Sequence, residues 1–535
     1  MLPELTLFEN NKTTLISNTG IQFLDFGFAL DPKKEPNGEF AKVTHHTLAR
    51  LSYHPDDEIN FYDKGLENSI ENFVKRTPEF EVPLAASLEL FNGHWLPLPF
   101  LRFIAPYRFD QGPANWARIR FIKLSQPDLE GNNYRVTLAF DTQLMLSNKH
   151  SAYLAPSPED VSAGVAFKLA VGADQTNWFL AQEWVNSWLE NIFKENSLDK
   201  DIDDLKEALE CFEPQAHYLN LLSLITQNSI KPNALQTHKV QVPDIIIIGN
   251  RQQDLTKAIP VDLVLDIGNS RTCGILIEQR EQVDSGLKHN YILQLRDLSH
   301  PERVYNHPFE SRIEFSQANF GKENFAIKSG RNNAFLWPTI ARVGSEANRL
   351  ASQRSGTQGY TGISSPKRYL WDANHYESGW RFNSSNRVDG LEPHATAAPL
   401  LHYIDDLGEA LYVPLKDSYE DDERLPVFTP HYSRRSLMTF MLSEVLTQAL
   451  GQINSASQRT SQGLTETPRR LNSITLTVPP GMAQAERAIL EERLNQAIAL
   501  VWKALGWHQG DASPFDDTHP EYIAPSVQLP KTSVE

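Results

Sequence analysis

At 535 residues, 40% hydrophobic and 10% aromatic, the chain is too long for one domain and too apolar for wholesale disorder. At about 150 residues each it holds roughly three or four domains. A formal net charge of −17 excludes nucleic acid or an anionic membrane surface as the main partner, because phosphates are repelled overall.

Cys211 and Cys273 are the only cysteines, which describes a reduced compartment with neither a disulfide framework nor a cysteine-rich zinc site. No window approaches about 18 consecutive apolar residues. The start, Met1 to Asn10, lacks a basic segment followed by an apolar core. The expectation is a soluble, cytoplasmic protein with no membrane span.

Residues 1–150 read as a β-rich domain. Ala117 to Leu124 and Tyr134 to Phe140 alternate polar and apolar residues around Gly131-Asn132-Asn133, which predicts a hairpin with one wet face. Leu96 to Ile104, with Pro97 and Pro99, predicts an edge or entry strand. Leu24-Asp25-Phe26-Gly27 reads as a structural turn. Residues 151–257 form a helical region and linker. Trp178, Ala181, Val185, Trp188 and Ile192 recur at helical spacing, and the tryptophans are expected in the core and not as a ligand box. A second helix is predicted from Asp203 to Asn228, broken near Pro214. The acidic run Glu195 to Glu210 reads as a solvated helix face, and Lys231 to Pro243 as a linker.

The composition then becomes that of an α/β domain, 258–507. Val261-Asp-Leu-Val-Leu-Asp266-Ile-Gly268-Asn269-Ser270-Arg271-Thr272-Cys273-Gly274-Ile-Leu-Ile-Glu278 sets two apolar runs around a short polar segment, predicting strand, tight turn and strand, both strands largely buried. A carboxylate ending a buried strand needs hydrogen bonds or a cation, and Asp266 stands at that mouth. Gly268 permits close backbone approach. Asn269, Ser270, Arg271 and Thr272 offer successive N–H groups and side-chain donors, an anion-binding concavity beside a carboxylate suited to Mg²⁺ through its waters.

Further strands are predicted at Tyr291 to Leu295 and Arg312 to Phe315, followed by Phe335-Leu-Trp-Pro338-Thr-Ile-Ala-Arg-Val-Gly344-Ser-Glu-Ala347 and by Ser365-Pro366-Lys367-Arg368. Residues of about 371–432 read as an insertion outside the compact core, with Glu420 to Arg424 a solvated charge cluster. Arg434 to Ile453 is an amphipathic helix with Leu437, Phe440, Met441, Val445, Leu446 and Ala449 mostly on one face. A strand from Ile474 to Val478 leads through Pro479-Pro480 into a helix ending near Leu505. Residues 508–535 read as a polar tail.

Asp266-Ile-Gly-Asn-Ser-Arg-Thr-Cys-Gly274 resembles the first phosphate loop of the actin, Hsp70 and sugar-kinase superfamily. The Pro338 strand with Val343-Gly344, the Pro366-Lys367-Arg368 segment, and Thr477-Val478-Pro479 with its Gln484-Ala-Glu-Arg487 helix start resemble Hsp70 segments in the same order. The resemblance implies an α+β multidomain protein whose 258–507 region is an actin/Hsp70-like (ribonuclease H-like) lobe. It implies ATP and Mg²⁺ as ligands, Asp266 and Lys367 as catalytic residues, and Gly268, Asn269, Ser270, Arg271 and Thr272 as nucleotide contacts. The second Asp-x-Gly phosphate loop and the Gly-Gly adenosine loop of that superfamily do not occur after Gly506, so the lobe is expected to be incomplete.

With Thr477-Val-Pro-Pro-Gly481 and the long amino-terminal extension, the chain also resembles the virulence-factor SrfB family. That implies the amino-terminal portion of a longer protein, a possible ATPase acting with a protein partner or self-associating. Two other readings stay open: a kinase similar to type III pantothenate kinases, against which the β-rich extension counts, and a non-catalytic interaction protein that keeps the fold.

Overall fold

The computed structural model describes residues 1–6, 8, 11–44, 47–54, 59–63, 73–105, 108–145, 154–197, 201–226, 240, 242–249, 258–280, 289–321, 334–387, 389–411, 427–507 and 531–534. Among the described residues, the amino-terminal half has two larger sheets and two small three-stranded ones. One of the larger sheets is antiparallel, with Ile21–Phe28, Tyr134–Asp141, Ala117–Lys123 and Trp95–Pro97 side by side. The Ala117–Lys123 and Tyr134–Asp141 pair is the predicted hairpin. In the second sheet Lys12–Ile16 runs parallel to Asp244–Ile248, which continues antiparallel through Ala166–Leu169 to Phe100–Ile104. The spans 1–150 and 151–257, expected as separate units, therefore share one sheet and one core. Trp116, Trp184, Trp188 and Phe167 lie together in that core.

One reading in this half is corrected. Asp25 and Gly27 lie inside the strand Ile21–Phe28 and not in a turn, because pairing with Tyr134–Asp141 runs unbroken through both residues. The helical run after Ile202 divides into Ile202–Glu210 and Glu213–Ile225, with the break at Phe212, which takes a positive φ of 60°, beside the expected break near Pro214.

The carboxy-terminal half is organised by a second kind of sheet. Its strands, numbered here within that sheet, are β1 (Ile259–Ile267), β2 (Arg271–Glu278), β3 (Asn290–Ile292), β4 (Arg469–Thr477) and β5 (Lys531–Val534), in spatial order 3-2-1-4-5. β2 runs antiparallel to both β1 and β3, whereas β4 runs parallel to β1 and β5 parallel to β4. The two-residue strand Phe309–Glu310 pairs with the start of β2. β5 falls in the span expected as a polar tail. The rest of that tail, 508–530, lies outside the described residues.

The hairpin β1–β2 alternates, instead of being buried on both faces. Val261, Leu263, Leu265 and Ile267 point into the core, while Asp262, Val264 and Asp266 face the other way. The inward face packs on helices α1 (Ser436–Asn454) and α2 (Gln484–Ala504). Read as amphipathic, α1 proves buried on nearly every side, because its polar residues serve as internal connectors. Gln452 Oε1 accepts from Gln294 N at 2.8 Å and Gln448 Oε1 from Arg296 N at 3.1 Å. The same amides donate to Ile292 O and Arg296 O at 2.9 and 3.1 Å, so one helix face completes a loop backbone as a strand would.

Residues 371–411 and 427–432 are not outside the core, as the sequence suggested. Trp380, Ala395, Leu400, Ile404 and Tyr432 are each 0% exposed and join the same cluster. Glu420 to Arg424 lies outside the described residues.

Candidate functional site

The carboxyl-directed ends of β1 and β4 lie side by side, with Asp266 opposite Thr477 in register. Asp266 is exposed and accepts a hydrogen bond from Thr477 Oγ1 at 3.0 Å. Its charge also reaches its antiparallel partner: burial first, and then the Asp266 carboxylate, raise the Cys273 thiol above its ordinary range.

The turn between β1 and β2 is closed by Gly268 N donating to Arg271 O at 3.0 Å. Gly268 is required by close approach: a Cβ there would sit 2.7 Å from the Arg271 carbonyl oxygen. Three successive carbonyls of the turn are tied down from outside it. Ser311 Oγ donates to Gly268 O at 2.7 Å, Ser365 Oγ to Asn269 O at 2.5 Å, and Ser311 N to Ser270 O at 2.9 Å. In a trans peptide the N–H points opposite to the C=O. Anchoring those carbonyls therefore turns the N–H groups of Asn269, Ser270 and Arg271 away from the two serines, on residues that are themselves exposed. Exposed N–H groups of this kind can donate to an anion.

Ser365 reaches the turn from a left-handed backbone conformation, φ 56° and ψ 54°, immediately before Pro366. Such a conformation costs a β-carbon residue about 1–2 kcal/mol and persists only where surrounding structure imposes it. The short helix Pro366–Tyr369 then directs Lys367 inward. Lys367 Nζ donates to Ile267 O at 2.8 Å and the side chain is largely buried. Burial lowers its proton affinity, opposed by the carboxylates of Asp266 and of Glu486 in the first turn of α2. Segments about 100 residues apart in sequence, and a helix start a further 117 on, thus converge at one strand mouth.

Of the residues singled out in the sequence, Asp266, Gly268, Asn269, Ser270, Arg271 and Lys367 come together here. Thr272 does not offer its side chain. It is buried, and its hydroxyl is paired with Ser311 Oγ at 2.9 Å. The correction follows from strand alternation: Thr272 begins the inward face of β2, whereas Arg271 faces out. Ser311, Ser365, Thr477 and Glu486 were missed. Thr477, Ser365 and Glu486 each lie in a noted segment, before Val478-Pro479, before Pro366-Lys367 and within Gln484-Ala-Glu-Arg487, whereas Ser311 carries no such signal.

The residues fit a magnesium-bound phosphate chain in kind: an exposed carboxylate for the ion and outward N–H groups, with the buried Lys367 ammonium behind the turn. Among the described residues, no helix is long and apolar enough to cross a membrane. A family model described as virulence factor SrfB matches residues 1–535. Comparison with curated proteins returns no match.

Proposed function

The chain belongs to the SrfB virulence-factor family, and we propose that its carboxy-terminal half is an actin/Hsp70-like lobe that binds the phosphates of Mg-ATP at the β1–β4 mouth. The observation that carries this reading is the 3-2-1-4-5 sheet, antiparallel on one side of β1 and parallel on the other, with the β1–β2 turn at its open end. That order and sense support a ribonuclease H-like reading of the lobe, and the β1–β2 turn at its open end is the segment whose sequence resembles the superfamily's first phosphate loop.

In this reading Asp266 holds Mg²⁺ through its water shell and Thr477 fixes the carboxylate's orientation. The N–H groups of Asn269, Ser270 and Arg271 take phosphate oxygens, held outward by the serine anchors. Lys367 sits behind the turn with its ammonium on Ile267 O, its charge favoured by Asp266 and Glu486, and would lend positive charge to a bound phosphate from behind the turn. The bound ion supplies charge neutralisation. The protein's part is positioning.

This lobe contributes one wall of such a cleft, so the expected affinity is low, with a dissociation constant on the order of a millimolar. The test is isothermal titration of the 535-residue chain with Mg-ATP, alongside Asp266→Ala. Weak saturable binding that disappears in the variant, with an unchanged melting temperature, supports the reading. Equal affinity of the two proteins overturns the role of Asp266. No binding by the parent chain favours a fold kept for interaction with a protein partner, in which Lys367 is a pin holding the turn to Ile267 O.

A further inference from the structure

Away from the strand mouth, three loops bring His375, Asp406 and His431 together at the surface, and their ligand-capable atoms lie within 4.8 Å of one another. His431 Nδ1 is 3.1 Å from Asp406 Oδ1, and His375 Nδ1 is 3.3 Å from Asp406 Oδ2. Backbone bonds hold the loops together beside these side chains. Tyr376 N donates to His431 O at 2.9 Å, Trp380 N to Pro430 O at 2.9 Å, and Ser433 N to Leu407 O at 2.9 Å. His431 N itself donates to Asp406 Oδ1 at 3.3 Å. Tyr376 and Tyr432 adjoin His375 and His431 in the chain; Tyr432 and Trp380 are fully buried, and Tyr376 stacks on Trp380 at a ring separation of 4.4 Å. Both histidine-bearing segments are therefore anchored in the core.

We propose that His375, Asp406 and His431 form a binding site for a divalent transition-metal ion of the zinc class, which no comparison assigns to this chain. Two imidazoles and one carboxylate make a nitrogen-rich, borderline-soft donor set, which suits zinc and its neighbours and is poorly matched to Mg²⁺. The three side chains are 58%, 45% and 32% exposed for His375, Asp406 and His431, so an ion has direct access. Nδ1–carboxylate separations of 3.1 and 3.3 Å are close to the spacing of about 3.3 Å between atoms that each lie roughly 2.0–2.1 Å from one tetrahedral zinc ion. Three protein ligands leave a fourth position for water or for a donor from a partner.

The ordinary alternative is a carboxylate shared by two histidines through hydrogen bonds. It predicts the same contacts without metal, and the two separate on titration. The experiment uses the untagged chain, stripped with a chelator and dialysed, and titrated calorimetrically with Zn²⁺ and separately with Mg²⁺ at neutral pH. The expected result is one zinc bound per chain with a dissociation constant of micromolar order, negligible affinity for Mg²⁺, and a rise in melting temperature with zinc. His375→Ala and Asp406→Asn change exposed side chains, so both are expected to fold. Each should weaken zinc by at least about tenfold while leaving the metal-free melting temperature within a degree or so. Absence of saturable binding in the parent chain overturns the proposal, as does zinc binding that both variants retain at full strength.

Discussion

Each residue at the strand mouth is limited to one role by its neighbours, and Gly268 shows how tightly. An added methyl group would stand 2.7 Å from the Arg271 carbonyl oxygen, a backbone atom that cannot swing aside. Gly268→Ala is therefore expected to open the turn, at a cost of about 1–3 kcal/mol, and to weaken any phosphate binding with it. Gly481, in the loop before α2, provides the control, since a Cβ there meets nothing within 4 Å. Urea midpoints of the two variants decide the matter: equal stability of Gly268→Ala and Gly481→Ala would show that the turn tolerates the methyl group. Gly268 and Asp266 were legible in the sequence because turn chemistry is local. Ser311 and Ser365 were not, because a serine that anchors a carbonyl in another segment leaves no mark on its own neighbours in sequence. His375, Asp406 and His431 escaped for the same reason: separations of 31 and 25 residues match no compact ligand motif.

At the scale of the element, the helix Gly344–Gln353 acts as a clasp. Glu346, in its first turn, accepts from Leu298 N at 3.0 Å and Ser299 N at 3.1 Å. One turn later Arg349 grips Asp297 at 2.9 Å. Burial first, and then the charge of Asp297, push the Glu346 carboxyl up to about 8, outweighing the hydrogen bonds that favour the anion. The folded chain therefore holds a proton that the unfolded chain releases above about 4.5. The resulting stability is complete below that pH and is lost as pH rises toward and through about 8. Denaturation at pH 5 and pH 8.5 should show the parent losing a few kcal/mol, and Glu346→Gln losing clearly less. Identical pH profiles would mean that Glu346 is ionised throughout.

Elements of this kind also mark the limit of reading by pattern. The hairpin 117–141 announces itself by alternation, and α2 by the proline pair that ends the strand before it. β5, Lys-Thr-Ser-Val, has no such signal and becomes a strand only because β4 presents an edge to it. The buried stretch around Trp380 is rich in polar residues and turns, so composition pointed outward while tertiary packing drew its aromatic residues in.

For the whole molecule, the question is whether the two halves behave as one body. Their cores are distinct, yet Phe320, Phe335, Trp337 and Ala456, from the carboxy-terminal half, lie in the amino-terminal core. Charged contacts reinforce the seam. Arg296 holds Asp25 with both guanidinium arms, at 3.0 and 2.7 Å, and lies 4.5 Å over the ring of Phe23. Arg120 meets Glu302 at 2.7 Å, Phe335 N donates to Asp141 Oδ2 at 2.8 Å, and Trp507 Nε1 to Asn18 O at 2.7 Å. A seam with this much shared apolar packing should melt with the bodies it joins. Calorimetry is expected to give one transition for the parent chain. Asp25→Ala leaves Arg296 with an uncompensated charge at a site only 15% exposed, which costs about 3–5 kcal/mol when a buried partner is removed. It should shift that single transition downward as a whole. Adding Arg296→Met should recover a large part of the loss, because the penalty belongs to the stranded charge and the methionine keeps contact with Phe23. Two separate transitions in Asp25→Ala, one of them at the parent's temperature, would show instead that the halves are independent bodies and that the seam is only a surface between them.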